Sequence, residues 1–547
     1  MENNNYKFNK FRLKLYGLIV TLLFLSLGLR LYYIQVYKHN DLTDMALKQR
    51  GREISLYPKR GTIFDRNLVH LTNNSSNPVL IVQKDVLLKD ENLYNKVCKS
   101  AALYPWELDN IISSDESLLE IPLRENIEIG NYPNVFQVEK ITRYSNNNLL
   151  SHVIGYASKA ENRGESGLEK VYDEFLKNDD KNSLFVEFDK SRNMILGGSY
   201  YVNKDNDPQK PAGVKLTIDY DIQSKVESVM DTEKVNGAVL VAEVSSNEIV
   251  AMASRPNYNQ TEIGHYLSEN NMALYNKAIQ VGYPPGSIFK LVVLLAALEN
   301  DIDFLNREYY CKGYEELNRV RISCTQRHEH LTLDDAFAKS CNSVFIQIGR
   351  ELGSKKIMDM AEKLGFGKKL NIGLVEEIGG NLPKGQELLG PAIGNISIGQ
   401  GSIEVTPLQI TNLLMTVING GKKSHMTLIK GITNNEGYVI KPFVKDEDEY
   451  VISNYTSDIT MEMLRKVIRE GTARSLDLDL IGGGGGKTGS AEAILNRTQT
   501  IHGWFTGFYP EYDPKYVITV IVEEGLSGSK SAAPVFEKIA KLIENQN

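Results

Sequence analysis

At 547 residues the chain exceeds what one hydrophobic core normally organises, so two folded parts are expected. Hydrophobic residues make up 42% and charged residues 24%, an ordinary globular balance, and a net charge of -7 offers no basic field for nucleic acid, which excludes that partner class. Four cysteines are too few for a disulfide scaffold.

In chain order, the first element is an apolar run. Leu15 to Leu29 carries no charge, and with Arg30 snorkelling the apolar character continues through Ile34. At 1.5 Å per residue this crosses a bilayer core of about 30 Å. Lys7, Lys10, Arg12 and Lys14 precede it against a single Glu2, which keeps residues 1–14 in the cytoplasm and sends the bulk of the chain across. Ser26-Leu27-Gly28 offers a signal-peptide cleavage site as the alternative, but the run continues past it, so residues 15–36 are expected to be a retained transmembrane helix.

Residues 37–210 mix short apolar runs with polar connections such as Asn73-Asn74-Ser75-Ser76-Asn77 and Asn178-Asp179-Asp180-Lys181-Asn182, with little sustained helical period. An irregular, mostly β spacer domain is expected there. From residue 211 the texture changes. Asp221 to Glu233 reads as a helix and Gly237 to Val244 as a buried strand. Further strands follow at Gly503–Tyr509 and Tyr516–Glu523, then a terminal helix with Val535, Phe536, Ile539, Leu542 and Ile543 on one face. Strands at both ends with helical segments between them predict an α+β domain over 211–547, an antiparallel sheet flanked by helices with its first and last strands adjacent.

Three short motifs fall within that second domain. In Ser287-Ile288-Phe289-Lys290, serine and lysine lie one helical turn apart, so a buried, neutral Lys290 can take the proton that makes Ser287 a nucleophile. In Ser340-Cys341-Asn342, Ser340 supplies a proton relay and Asn342 an amide that both donates and accepts. Lys487-Thr488-Gly489-Ser490, after the five glycines 482–486, places a cation and hydroxyls on a strand open to backbone approach, suited to a substrate carboxylate. Singly each motif is weak, since each also describes a helix face, a helix cap or a glycine loop. Their combination is the set found in penicillin-binding proteins and class A β-lactamases.

On these motifs the chain resembles a class B penicillin-binding protein, and the likeness extends to Arg60-Gly61-Thr62-Ile63-Phe64-Asp65-Arg66-Asn67, His152-Val153-Ile154-Gly155-Tyr156 and Gly167-Leu168-Glu169, which look like pedestal motifs. Thr406-Pro407-Leu408-Gln409 and Trp504-Phe505-Thr506-Gly507 are similar to segments of the catalytic domain. The resemblance implies a pedestal over 37–210 and a transpeptidase domain over 211–547. It implies peptidoglycan D,D-transpeptidation of a stem pentapeptide through a serine acyl-enzyme at Ser287, inhibition by β-lactams, and no cofactor for catalysis. Backbone N–H groups of Ser287 and Ser490 would form the oxyanion hole. With no lipid II glycosyltransferase signature before residue 210, a SEDS-family glycosyltransferase is the implied partner. The same three motifs would serve a β-lactamase or a β-lactam sensor, and a non-catalytic scaffold of the division or elongation machinery is the other alternative. The long glycine run departs from the family pattern and leaves the stiffness of that strand's start open.

One cluster lies outside this pattern. Cys311, Cys324 and His328, with His330 nearby, supply three zinc ligands, or Cys311 and Cys324 form a disulfide. Cys341 is expected to be a packed thiol.

Overall fold

The computed structural model describes residues 2–39, 51–55, 60–177, 183–187 and 210–545, less a few isolated positions within them. The Asn178–Asn182 connection falls outside these residues. At the amino terminus, the helix Glu2–Tyr32 runs into a π-helical turn at Tyr33–Tyr37, and the stretch Arg12–Tyr37 has mean hydropathy 1.8 with exposed apolar side chains. It is long and apolar enough to cross a membrane.

Two compact units divide the chain, and they interleave along it. One comprises residues 1–58, 76–142 and 180–206, the other 59–75, 143–179 and 207–547. The larger unit is built on a five-stranded antiparallel sheet of β1 (Gly237–Glu243), β2 (Glu248–Arg255), β3 (Gly485–Leu495), β4 (Thr498–Tyr509) and β5 (Tyr516–Val522), in the order β2-β1-β5-β4-β3. β1 and β5, from opposite ends of the unit, are paired side by side with Val239 opposite Val520, as the two apolar runs predict. Helix α1 (Tyr220–Thr232) is capped by Asp219, whose carboxylate accepts from the Asp221 and Ile222 N–H groups. The terminal helix α2 (Ala533–Glu544) buries Val535, Phe536, Ile539 and Ile543, while Leu542 faces out at 41% exposure.

The segments of this unit before residue 180 pair with its later part. Thr62–Phe64 lies parallel to Gly213–Leu216 in a four-stranded sheet. Glu169, fully buried, receives Arg60 Nε at 2.6 Å, Arg143 Nε at 2.7 Å and the Tyr144 hydroxyl at 2.9 Å. Burial alone would raise the Glu169 pKa, but the two guanidiniums outweigh it and hold the carboxyl below its ordinary value. The Arg60 and Glu169 motifs, far apart in sequence, are thus one ion-pair network.

The smaller unit holds a three-stranded sheet with Ser75–Gln83 between Leu118–Pro122 and Val135–Thr142. Three short helices, Lys84–Lys89, Glu91–Ala101 and Pro105–Ile112, bury Leu87, Leu93, Val97 and Leu108 in its core with Leu80 and Val82. Asp90 caps the second, accepting from the Leu93 N–H, and Pro105 starts the third. The unit therefore carries more helix than its sequence texture predicts, because none of these helices exceeds 11 residues.

Candidate active site

Ser287 sits in a tight turn, the 3-10 segment Gly286–Phe289, which leads into helix Lys290–Asn300. A residue three positions on falls on the same face of such a turn, so Ser287 and Lys290 share one face. Gly286 makes the approach possible: its φ is +53°, and a Cβ there would stand 2.5 Å from the Ser490 carbonyl oxygen. Its N–H donates to the Gly399 oxygen at 2.9 Å, and a Cβ on Gly399 would in turn meet the Gly286 oxygen at 2.2 Å. Both are glycines because two backbones touch. Ser287 itself is half-buried, while Ile288, Phe289 and Lys290 are fully buried.

The second motif closes over the lysine. Helix Leu333–Ala338 ends just before Ser340, whose φ of +55° turns the chain sharply into helix Asn342–Leu352. Lys290 Nζ donates to the Ser340 oxygen at 2.6 Å, to Ser340 Oγ at 3.2 Å and to Asn342 Oδ1 at 2.7 Å. Lys487 Nζ approaches the same Ser340 Oγ from β3 at 3.1 Å and also donates to the Thr488 oxygen at 3.0 Å. One hydroxyl thus bridges two buried lysines. Burial lowers the Lys290 pKa to about 8, with Cys341 and Cys324 opposing the fall, and burial together with the Lys290 charge lowers that of Lys487 well below its ordinary value. Both ammonium groups lie over aromatic rings, Lys290 above Phe345 and Lys487 above Phe337.

The five glycines prove individually determined. Gly482 and Gly483 take φ of +79° and +75° to reverse the chain. A Cβ on Gly485 would strike the Phe508 ring at 2.3 Å, and one on Gly486 would meet the Thr506 oxygen at 2.7 Å. The run is a turn followed by a close-packed strand, so the start of β3 is held. Along β3, Ser490 Oγ accepts from the Gly528 N–H at 3.2 Å.

The family model for the penicillin binding protein transpeptidase domain matches residues 237–541. The chain is 30% identical over 96% of its length, and 84% of the relative's, to stage V sporulation protein D of Bacillus subtilis. The chain belongs to the class B penicillin-binding proteins. It is also 26% identical to the peptidoglycan D,D-transpeptidase MrdA of Acinetobacter baumannii, over 95% of this chain and 86% of that one. In fold it is similar to the crystal structure of the D,D-transpeptidase domain of a peptidoglycan glycosyltransferase from Eggerthella lenta, at TM-score 0.63 and 23% identity, covering 89% of this chain and 99% of that one.

Within this penicillin-binding protein the structure brings together Ser287, Lys290, Ser340, Asn342 and Lys487 to Ser490, the residues singled out from the sequence. It adds three residues to which the motifs assign no role. Thr472 Oγ1 lies 2.6 Å from Thr488 Oγ1, and its N–H donates to the Ala338 oxygen. Trp504 Nε1 donates to the Pro284 oxygen at 3.0 Å, just ahead of the serine turn.

Cys341 is the third. It is fully buried, and its Sγ lies 3.7 Å from Cys324 Sγ. His328 Nδ1 is 3.6 Å from both Cys311 Sγ and Cys324 Sγ, and the four ligand atoms lie within 4.8 Å of one another. His330 stands apart from this group, its ring edge-on to Tyr310. All four cysteines of the chain are free thiols. The Asn342 N–H donates to Cys324 Sγ at 3.3 Å, so the cluster abuts the second motif. The Cys341 thiol hydrogen bond drives the Cys324 pKa down and its own up.

Proposed function

We propose that this membrane-anchored peptidoglycan D,D-transpeptidase works through an acyl-enzyme on Ser287, with Lys290 as the general base. The carrying observation is the buried chain from Lys290 Nζ through Ser340 Oγ to Lys487 Nζ. In the first step Lys290 takes the Ser287 proton and Oγ attacks the carbonyl of the penultimate D-alanine. The Ser287 ester forms, the peptide C–N bond breaks, and the proton passes by way of Ser340 to the departing D-alanine nitrogen. In the second step an acceptor amine attacks the ester, gives its proton back along the same path, and Ser287 is regenerated. Backbone N–H groups of Ser287 and Ser490 hold the oxyanion, each worth about 3 to 4 kcal/mol. Asn342 orients the substrate peptide bond. Lys487, Thr488 and Ser490 bind its terminal carboxylate, with Gly489 leaving room beside Pro285 and Ile288.

The experiment that tests this reading is acylation by labelled penicillin, with Ser287→Ala as control. A long-lived adduct on wild-type protein is expected, because the ester awaits an amine. Rapid release of hydrolysed antibiotic would favour a β-lactamase instead.

In this reading residues 37–210 supply the pedestal and 211–547 the transpeptidase domain. The Lys7, Lys10, Arg12 and Lys14 cluster supports a cytoplasmic amino terminus and an extracytoplasmic site. Membership of class B supports a SEDS-family glycosyltransferase as the partner that makes the glycan.

The cysteine cluster fits a structural zinc held by Cys311, Cys324, His328 and Cys341. A tetrahedron with Zn–S near 2.3 Å and Zn–N near 2.0 Å has S–S edges of about 3.8 Å and S–N edges of about 3.5 Å, and the contacts of 3.7 and 3.6 Å match them. The ion would tie the Tyr314–Leu317 and Val320–Ser323 hairpin to the Ser340 turn and take no part in bond making. Purified reduced protein is expected to carry one zinc per chain, and Cys324→Ser to lose it. Metal-free reduced wild type contradicts the site.

A further inference from the structure

The turn that delivers Ser287 is braced by a buried polar network outside the three motifs. Tyr283, four residues before the serine and 3% exposed, donates its hydroxyl to Glu523 Oε1 at 2.6 Å. The other carboxylate oxygen receives Lys277 Nζ at 2.6 Å, and that ammonium, 2% exposed in its side chain, also donates to Asn236 Oδ1 at 2.8 Å. The backbone of Tyr283 is bonded in both directions to Val405, at 2.9 and 2.8 Å. Its ring meets His502 and Trp504 edge-on at 5.5 and 6.0 Å, and Trp504 in turn holds the Pro284 oxygen. Every residue of the approach, from Tyr283 through Gly286, is therefore fixed by a named contact or by ring geometry.

Such a network needs a reason. A lysine and a glutamate buried together cost desolvation that an apolar pair of the same shape would avoid, so they are poor devices for stability alone. What a charge-assisted O–H···O⁻ bond supplies is direction: it fixes where the Tyr283 ring stands, and through four residues of chain where Ser287 Oγ points. Reacting groups misplaced by 1 Å lose about a hundredfold in rate. We infer that Glu523 is a positioning residue for Ser287, acting through Tyr283, with Lys277 compensating its charge.

The inference rests on Ser287 being the acylated residue. Its test is the acylation of the full chain by labelled penicillin, resolved into the non-covalent dissociation constant and the acylation rate constant. Tyr283→Phe keeps the ring and the Lys277–Glu523 pair and removes only the hydroxyl. The acylation rate constant is expected to fall about tenfold, with the dissociation constant within about twofold of wild type. A wild-type rate constant overturns the inference, and so does a loss carried by the dissociation constant. If Tyr283→Phe does not fold, Glu523→Asp replaces it, keeping a charge for Lys277 while withdrawing the carboxylate from the tyrosine, with the same two readings. Ser287→Ala run alongside separates the two levels: an adduct that persists in it overturns the nucleophile, not the brace.

Discussion

Lys290→Met is expected to slow acylation by labelled penicillin by about 10² to 10⁴, the usual contribution of a positioned base. The lysine is fully buried, and its ammonium donates to Ser340 and Asn342 and lies over the Phe345 ring. Methionine has nearly the same length, so the pocket stays filled and the loss reports the missing amine. The pH profile carries the sign. Only the neutral amine accepts the Ser287 proton, and burial has brought the Lys290 pKa down to about 8. At pH 7 about one molecule in ten is then competent, so the wild-type rate rises with pH through 8 and levels above it. Lys290→Met has no such limb. A wild-type rate that falls through pH 8 contradicts the base assignment, because it would mean that the protonated lysine is the active form.

Glu169→Leu is expected to cost about 3 to 5 kcal/mol of folding stability, read from the shift of a denaturant midpoint. The carboxylate has no exposure, and its removal strands two guanidiniums, of which Arg60 is itself 5% exposed. Arg60 keeps Asp173 at 2.8 Å, which softens the loss without replacing it. Replacing Arg60, Arg143 and Glu169 together by apolar residues should recover much of that stability, since the penalty comes from unpaired buried charge. A change below about 1 kcal/mol in the single variant contradicts this account of how residues 59–75 and 143–179 join the catalytic unit.

How much of this was legible depended on whether the signal lay along the chain or across it. The central strands were readable because Gly237–Glu243 and Tyr516–Val522 are buried on both faces and so appear as unbroken apolar runs. The three motifs were readable because each packs its chemistry within four residues. The short helices of the smaller unit were not, since Glu91–Ala101 shows only three buried positions and its cap, Asp90, looks like any loop aspartate. Nor could the sequence place Thr472 against Thr488 or Tyr283 against Glu523, 240 residues on. Cys341 is the instructive case. Three of the cluster's residues lie close together before Ser340, but the fourth stands inside the second motif, and only the hairpin's return brings its sulfur to Cys324.

Peptide mapping of the protein after reaction with a β-lactam shows whether Ser287 becomes the acyl ester. One antibiotic per chain is expected, on the peptide carrying Ser287, and none on Ser287→Ala protein that is folded by its melting transition. An adduct on another residue, or an undiminished adduct in Ser287→Ala, would contradict that expectation.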